Sequence, residues 1–330
     1  MKSIYAFGGI LWFSISIAYS EVSQNTYHGW DRAYRMGNGD ATLVLVPQIG
    51  GRIMAYSLTG SETLFYQNPD EFGKLYDITP QPWHNYGGYK VWNAPQDRWG
   101  WPPDPWLDYG PYSVQILGPL KVRTRGAPSF ETGIVYTREI EMAESGSRVS
   151  INQTMTNITD HEVEWSVWDV TQLQRPDWIV FPLNPKSIFP DGVNHHNDKS
   201  KESKGWHVVD DWMYINYLGD GGKLGADSHA GWIAYVKDNQ IYLKIFPIYA
   251  DEKYPHKGDT VEVYTAETYI EVEVLSPLVK LGPGKSYTFT EQWYLMRSDQ
   301  DLKEMEDVKV AIEPLVKEIG KLGQPSAGGK

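Results

Sequence analysis

Residues 134–157 read Ile134-Val-Tyr-Thr-Arg-Glu-Ile-Glu-Met142, then Ala143-Glu-Ser-Gly-Ser147, then Arg148-Val-Ser-Ile-Asn-Gln-Thr-Met-Thr-Asn157. In both outer runs apolar side chains recur at alternate positions, the period at which a strand turns one face to a core. The five residues between them are small, polar and glycine-bearing, so the stretch predicts an antiparallel hairpin. The reading extends in both directions. Upstream, 41–46, 52–58 and 63–66 read as strands with turns at Gly50-Gly51 and Gly60, and 113–117 pairs with 120–125 around Gly118-Pro119. Downstream, 162–173, 232–236, 241–246, 261–275 and 286–296 continue the pattern. So many strands without interleaved helices predict an all-β chain, a large antiparallel sandwich spanning 21–298.

One helix is expected after it. Ser298 to Asp301 has the form of a capping box, and Leu302, Met305, Val308, Ile312, Leu315, Val316 and Ile319 recur at three- and four-residue intervals. The pattern predicts a helix over 299–322, with Pro314 expected to kink or split it, and a frayed tail over 323–330. At the other end, Lys2 precedes an uncharged stretch, and Ala18-Tyr19-Ser20 places small residues where a signal peptidase cuts. Residues 1–20 are read as a signal peptide cleaved before Glu21, the alternative being an uncleaved anchor. The mature chain is then periplasmic or secreted, with no membrane span.

Composition excludes several classes. The chain has 330 residues, 14 Trp, 22 Tyr and no Cys. Disorder is excluded by that aromatic content, and disulfide scaffolds, cysteine nucleophiles and thiolate metal sites by the missing sulfhydryl. A net charge of -12 disfavours nucleic acid as a partner. No Gly-x-Gly-x-x-Gly turn, phosphate loop, Gly-x-Ser-x-Gly elbow or His-Glu-x-x-His helix is present, so no cofactor and no metal centre is expected.

Two long segments lack strand periodicity. Residues 76–112 carry Trp83, Trp92, Trp99, Trp101 and Trp106 among seven prolines. Indole faces suit the C–H face of a sugar ring, and His84, Lys90, Asn93, Gln96 and Arg98 between them suit its hydroxyls. The other reading is a lid whose aromatics bury one another. Residues 174–230 contain Asp191-Gly-Val-Asn-His-His-Asn-Asp198. Neighbouring imidazoles on a strand diverge, so His195 and His196 are read as loop histidines; a calcium site from Asp191, Asn194 and Asp198 is weakly signalled. In 266–275, Glu267, Tyr269, Glu271 and Glu273 alternate with aliphatics. Carboxylates two residues apart stand about 7 Å from each other and suit acid–base work if that face lines a cleft, or form a solvated sheet face if it does not.

Leu43-Val-Leu-Val-Pro47, Gly50-Gly51-Arg52-Ile53 and Thr63-Leu64-Phe65 resemble the opening of galactose mutarotase-like (aldose 1-epimerase-like) proteins. His84-Asn-Tyr-Gly87-Gly88 before Trp92 is similar to that superfamily's His-Gly-Gly stretch, and Leu281-Gly-Pro-Gly284 to its late turn. Gly87-Gly-Tyr-Lys-Val-Trp-Asn-Ala-Pro-Gln96 resembles an uncharacterised family of bacterial exported proteins within it. The resemblance implies a supersandwich with a sugar cleft on its concave sheet, and a histidine acid and glutamate base acting on a hemiacetal. The chain departs from that pattern: Trp165 to Leu173 offers no second histidine, and Lys285 stands where the glutamate is expected.

The resulting expectation is an exported carbohydrate-active or carbohydrate-binding protein. Arg52, Trp83, Lys90, Trp92, Gln96, Trp99 and Trp101 would bind the sugar. In the catalytic form, His84 would be the acid and Glu271 or Glu273 the base. The rival is a non-catalytic sugar-binding or envelope interaction module that has lost the mutarotase residues.

Overall fold

A computed structural model describes residues 21–79 and 82–321; the expected signal peptide and tail lie outside them. The described residues form two antiparallel sheets, of 11 and 10 strands. The hairpin that opened the sequence reading is present as Ile134–Met142 and Val149–Asn157, paired in unbroken register from Ile134↔Asn157 to Met142↔Val149. It lies in the second sheet beside the long strand Ser286–Arg297.

The first sheet positions the site. Its centre runs Arg52–Leu58, Tyr89–Ala94, Val163–Leu173, Ile270–Leu275, Val261–Thr265 and Gly222–Ala226, ending at the two-residue strand Asn194–His195. Alternation gives each strand two faces. Tyr89, Val91, Val167, Val272 and Val274 join the core between the sheets, against Tyr136, Ile151, Phe289 and Trp293 of the second sheet. That core also holds charge: Lys244 pairs with Asp169, with Glu291 at 4.0 Å, and all three side chains are fully buried. Lys90, Trp92, Trp168, Gln172, Glu271, Glu273 and Glu262 occupy the alternate positions, which face away from the second sheet.

Several boundaries differ from the sequence reading. The aromatic segment contains a central strand, Tyr89–Ala94. The segment 174–230 carries Trp178–Pro182, Trp206–Val209, Trp212–Ile215 and Gly222–Ala226. The expected strand over 261–275 is two, turned on each other through 266–269. Residues 63–66 form no strand and contribute only an isolated bridge, Phe65↔Leu173. The helix runs Met305–Lys321 with Pro314 inside it. It starts later than the capping box because Ser298 Oγ accepts from Gln300 N–H in a local turn, while Asn239 Oδ1 accepts from Leu302 N–H. Leu302, Val308, Ile312 and Ile319 cover the outer face of the second sheet through Val180, Trp232, Ile241 and Leu243. Among the described residues no helix is long and apolar enough to cross a membrane.

Candidate functional site

Two clusters of ionisable groups stand on the face of the first sheet turned away from the core, where the segments on either side of the strand Tyr89–Ala94 bring Trp83 and Asp108 against Arg52 and Trp92. The first cluster fixes the aromatic segment. Asp108, fully buried, accepts from Arg52 Nη2 at 2.8 Å, Trp92 Nε1 at 2.9 Å and Trp83 Nε1 at 3.1 Å. Lys90 Nζ lies 3.1 Å from Glu271 Oε1, which also accepts from Gln172 Nε2 at 2.8 Å. The ammonium sits 4.3 Å from the centre of the Trp92 ring and 5.3 Å from that of Trp83. Burial lowers the Lys90 pKa, and the Glu271 carboxylate only partly opposes it. In this cluster each cation has its carboxylate, so its evident work is to pin the loop to the sheet.

The second cluster borders open space. Glu273 Oε2 accepts from Trp168 Nε1 at 2.6 Å and from Lys223 Nζ at 3.0 Å. Lys223 also meets Glu262 Oε2 at 2.7 Å. The Gln96 backbone N–H donates to His256 Nε2 at 3.3 Å, which makes Nε2 the acceptor and leaves Nδ1 to donate to Glu262 Oε1 at 2.5 Å. His196 Nε2 lies 2.7 Å from Asp259 Oδ2, which also accepts from Asn194 Nδ2 at 2.9 Å. Asp259 packs on the α-carbon of Gly225, where an added Cβ would stand 2.3 Å from its carboxylate oxygen.

Gln96, Asn194, His196, Lys223, Tyr254 and His256 line a cavity of about 500 Å³. It adjoins a second hollow of about 730 Å³ that shares Asn194, His195, His196 and Lys257 and reaches Trp206. A larger hollow of about 870 Å³ lies over the first strands of the same sheet, among residues such as Ala33, Thr42, Ala55 and Ser57. Its lining holds no buried acid–base cluster, in contrast to the His196–His256 cavity.

Burial sets the protonation of this cluster. It pushes the Asp259 carboxyl up to about 10, reinforced by neighbouring Glu262. Burial also raises Glu273 well above the carboxylate range despite Lys223. Burial would raise Glu262 too, but Lys223 and His256 outweigh it and hold Glu262 well below that range. The His196 imidazole is lowered to about 4, again chiefly by burial.

The residues expected from sequence are thus divided. Trp92, Trp99 and Trp168 pack edge to face or tilted, with centroids 5.5 to 6.4 Å apart. Trp99 Nε1 donates to Asn93 O at 2.7 Å. Trp101 is exposed and meets Trp83 edge-on. Arg52 and Lys90 are buried in ion pairs rather than open to a cleft, and Gln96 stands at the cavity. Glu271 and Glu273 share a face, as alternation requires, but that face is buried, not solvated. The carboxylate 3.5 Å from His84 is Glu71, and its ring stacks on Tyr76. His195 and His196 diverge: His195 Nδ1 is 3.2 Å from Ser200 Oγ. Asn194 directs its amide to Asp259 and to His256 O, away from the suggested calcium grouping. Lys223, His256, Asp259 and Glu262 were not singled out in the sequence. Only Glu262 carried a signal, its alternation with Val261 and Val263.

A family model described as a domain of unknown function (DUF4380) matches residues 32–296. Curated proteins give no match. Solved structures do. A candidate aldose 1-epimerase from Klebsiella pneumoniae subsp. pneumoniae shares 13% identity, with 90% of this chain and 85% of that one covered and a TM-score of 0.59. A galactose mutarotase-like protein from Lactobacillus casei shares 10%, covering 80% and 100%, with a TM-score of 0.56. Another from Clostridium acetobutylicum shares 10%, covering 84% and 98%, with a TM-score of 0.54. At these identities the likeness is one of fold: the chain has the galactose mutarotase-like sandwich.

Proposed function

We propose, given that the chain belongs to the DUF4380 family of domains of unknown function and has the galactose mutarotase-like fold, that it is an exported carbohydrate-binding protein. Its sugar site is the His196–His256 cavity. The observation that carries the reading is the cavity itself, about 500 Å³ bounded by polar groups of fixed orientation, with the Tyr254 side chain on its wall. Fixed donors and acceptors beside an aromatic ring suit a hydroxylated ring.

The non-catalytic form is favoured by a specific arrangement. Lys90 neutralises Glu271, Lys223 and Trp168 hold Glu273, and His84 is paired with Glu71. We therefore assign no proton transfer to His84, Glu271 or Glu273. A calorimetric screen of neutral and acidic mono- and oligosaccharides tests the reading. A bound sugar should lose affinity about tenfold or more, the equivalent of roughly 1.4 kcal/mol, when Gln96→Ala trims the cavity, and keep it when Thr42→Ala alters the other hollow. No binding by any class of sugar would remove the proposal. Polarimetry on aldoses should show mutarotation no faster than in buffer. Acceleration lost in Glu271→Gln or Glu273→Gln would restore the catalytic form.

A further inference from the structure

We propose that His196, Asp259 and Glu262 form a binding site for one divalent cation of the zinc or manganese type at the wall of the cavity. One donor atom from each of His196, Asp259 and Glu262 lies within 4.8 Å of the others. Two separations are 2.7 Å, from His196 to Asp259, and 3.6 Å, from His196 to Glu262. Ligands at about 2.1 Å from a shared ion stand roughly 3 to 3.5 Å from each other, so small side-chain adjustments bring the three donors onto one centre. One imidazole with two carboxylates suits a borderline cation, whereas calcium and magnesium prefer oxygen alone.

One observation beside this geometry calls for a cation: Asp259 is fully buried and its Oδ1 has no hydrogen-bond partner, a desolvated acceptor left unsatisfied. The surroundings fit a held ion. Lys223 engages Glu262 through Oε2, leaving Oε1 on the His196 side. His256 donates to Oε1 and would orient the ligating carboxylate from behind. Gly225 supplies the space in which Asp259 lies beside Glu262. His196 lines the cavity, which gives the ion a route in.

The site stands apart from the saccharide reading, because it is tested with no sugar present. The full chain, stripped with EDTA and dialysed, is titrated with Zn²⁺, Mn²⁺ and Ca²⁺ in separate runs by calorimetry and followed by thermal melting. Saturable binding of one ion per chain is expected, with a raised melting temperature. Asp259→Asn and His196→Ala should each weaken it roughly 100-fold or abolish it. The His196 side chain is 22% exposed, so its removal keeps the test decisive if Asp259→Asn fails to fold. Absence of saturable binding by both ions, wild-type affinity in a folded His196→Ala variant, or binding of Ca²⁺ alone overturns the assignment.

Discussion

The Lys90–Glu271 contact shows what a single pair contributes on this sheet. Both groups are nearly excluded from water, so their attraction is set against the loss of hydration on each. Removing only the acid strands a buried ammonium between two indoles. Glu271→Gln is therefore expected to lower stability by about 3 to 5 kcal/mol in urea unfolding. A Lys90→Met/Glu271→Met double variant should recover most of that loss, since no uncompensated charge remains. If the single variant unfolds at the wild-type midpoint, Lys90 is not held as a buried cation. The sequence showed both residues: Lys90 among tryptophans, and Glu271 on an alternating strand. It did not show that they meet. Their strands are separated by Val163–Leu173, with Val170 opposite both Lys90 and Glu273, a neighbourhood made by chain crossings that no local pattern encodes.

At the scale of elements, legibility followed length and turn chemistry. The hairpin of 134–157 was plain because nine-residue strands give several periods of alternation. Tyr89–Ala94 was hidden because all six of its residues are buried, and aromatic and charged side chains share its cleft face. The strands within 174–230 are two to five residues long, too short for periodicity to register. The break in 261–275 lies at Ala266-Glu-Thr-Tyr269, which carries neither Gly nor Pro. That loss bore on the site, since it concealed that Glu262 and Glu273 stand side by side on paired strands. The Gly50-Gly51 turn was legible, and its need for glycine is now explicit. Gly50 has φ +75°, and a Cβ there would stand 2.0 Å from Asp108 O. Gly50→Ala should cost about 1 to 2 kcal/mol for the left-handed backbone and about 1 to 3 kcal/mol for the overlap. It also pushes on the segment that carries Asp108, so the fluorescence of Trp83 and Trp92 should shift with it. Unchanged stability would mean that the turn does not press on the backbone at Asp108.

Over the whole molecule, no cysteine is available to fasten the sandwich, so its endurance rests on the buried interior, and that interior is rich in phenols. Tyr56, Tyr89, Tyr136, Tyr235 and Tyr242 are essentially excluded from water, and burial raises each pKa above the ordinary 10. Tyr254, at the cavity, is pushed up to about 12 by the same cause. In the unfolded chain these phenols ionise near pH 10, whereas the native state keeps their protons. Above that pH the native state therefore binds more protons than the unfolded one, and stability falls as pH rises. The contribution is fully present below pH 10 and is lost as pH climbs through the folded values. Lys90 acts in the opposite sense, because its lowered pKa makes the unfolded chain the better proton binder just below 10.5; one lysine cannot offset several tyrosines. The chain should accordingly unfold cooperatively between about pH 10 and 12. Tyrosinate absorbance at 295 nm from the buried set should then appear in step with the loss of near-ultraviolet dichroism. Gradual ionisation of these tyrosines with the dichroism intact would mean that water reaches the space between the sheets, and the sealed core inferred from the packing would have to be abandoned.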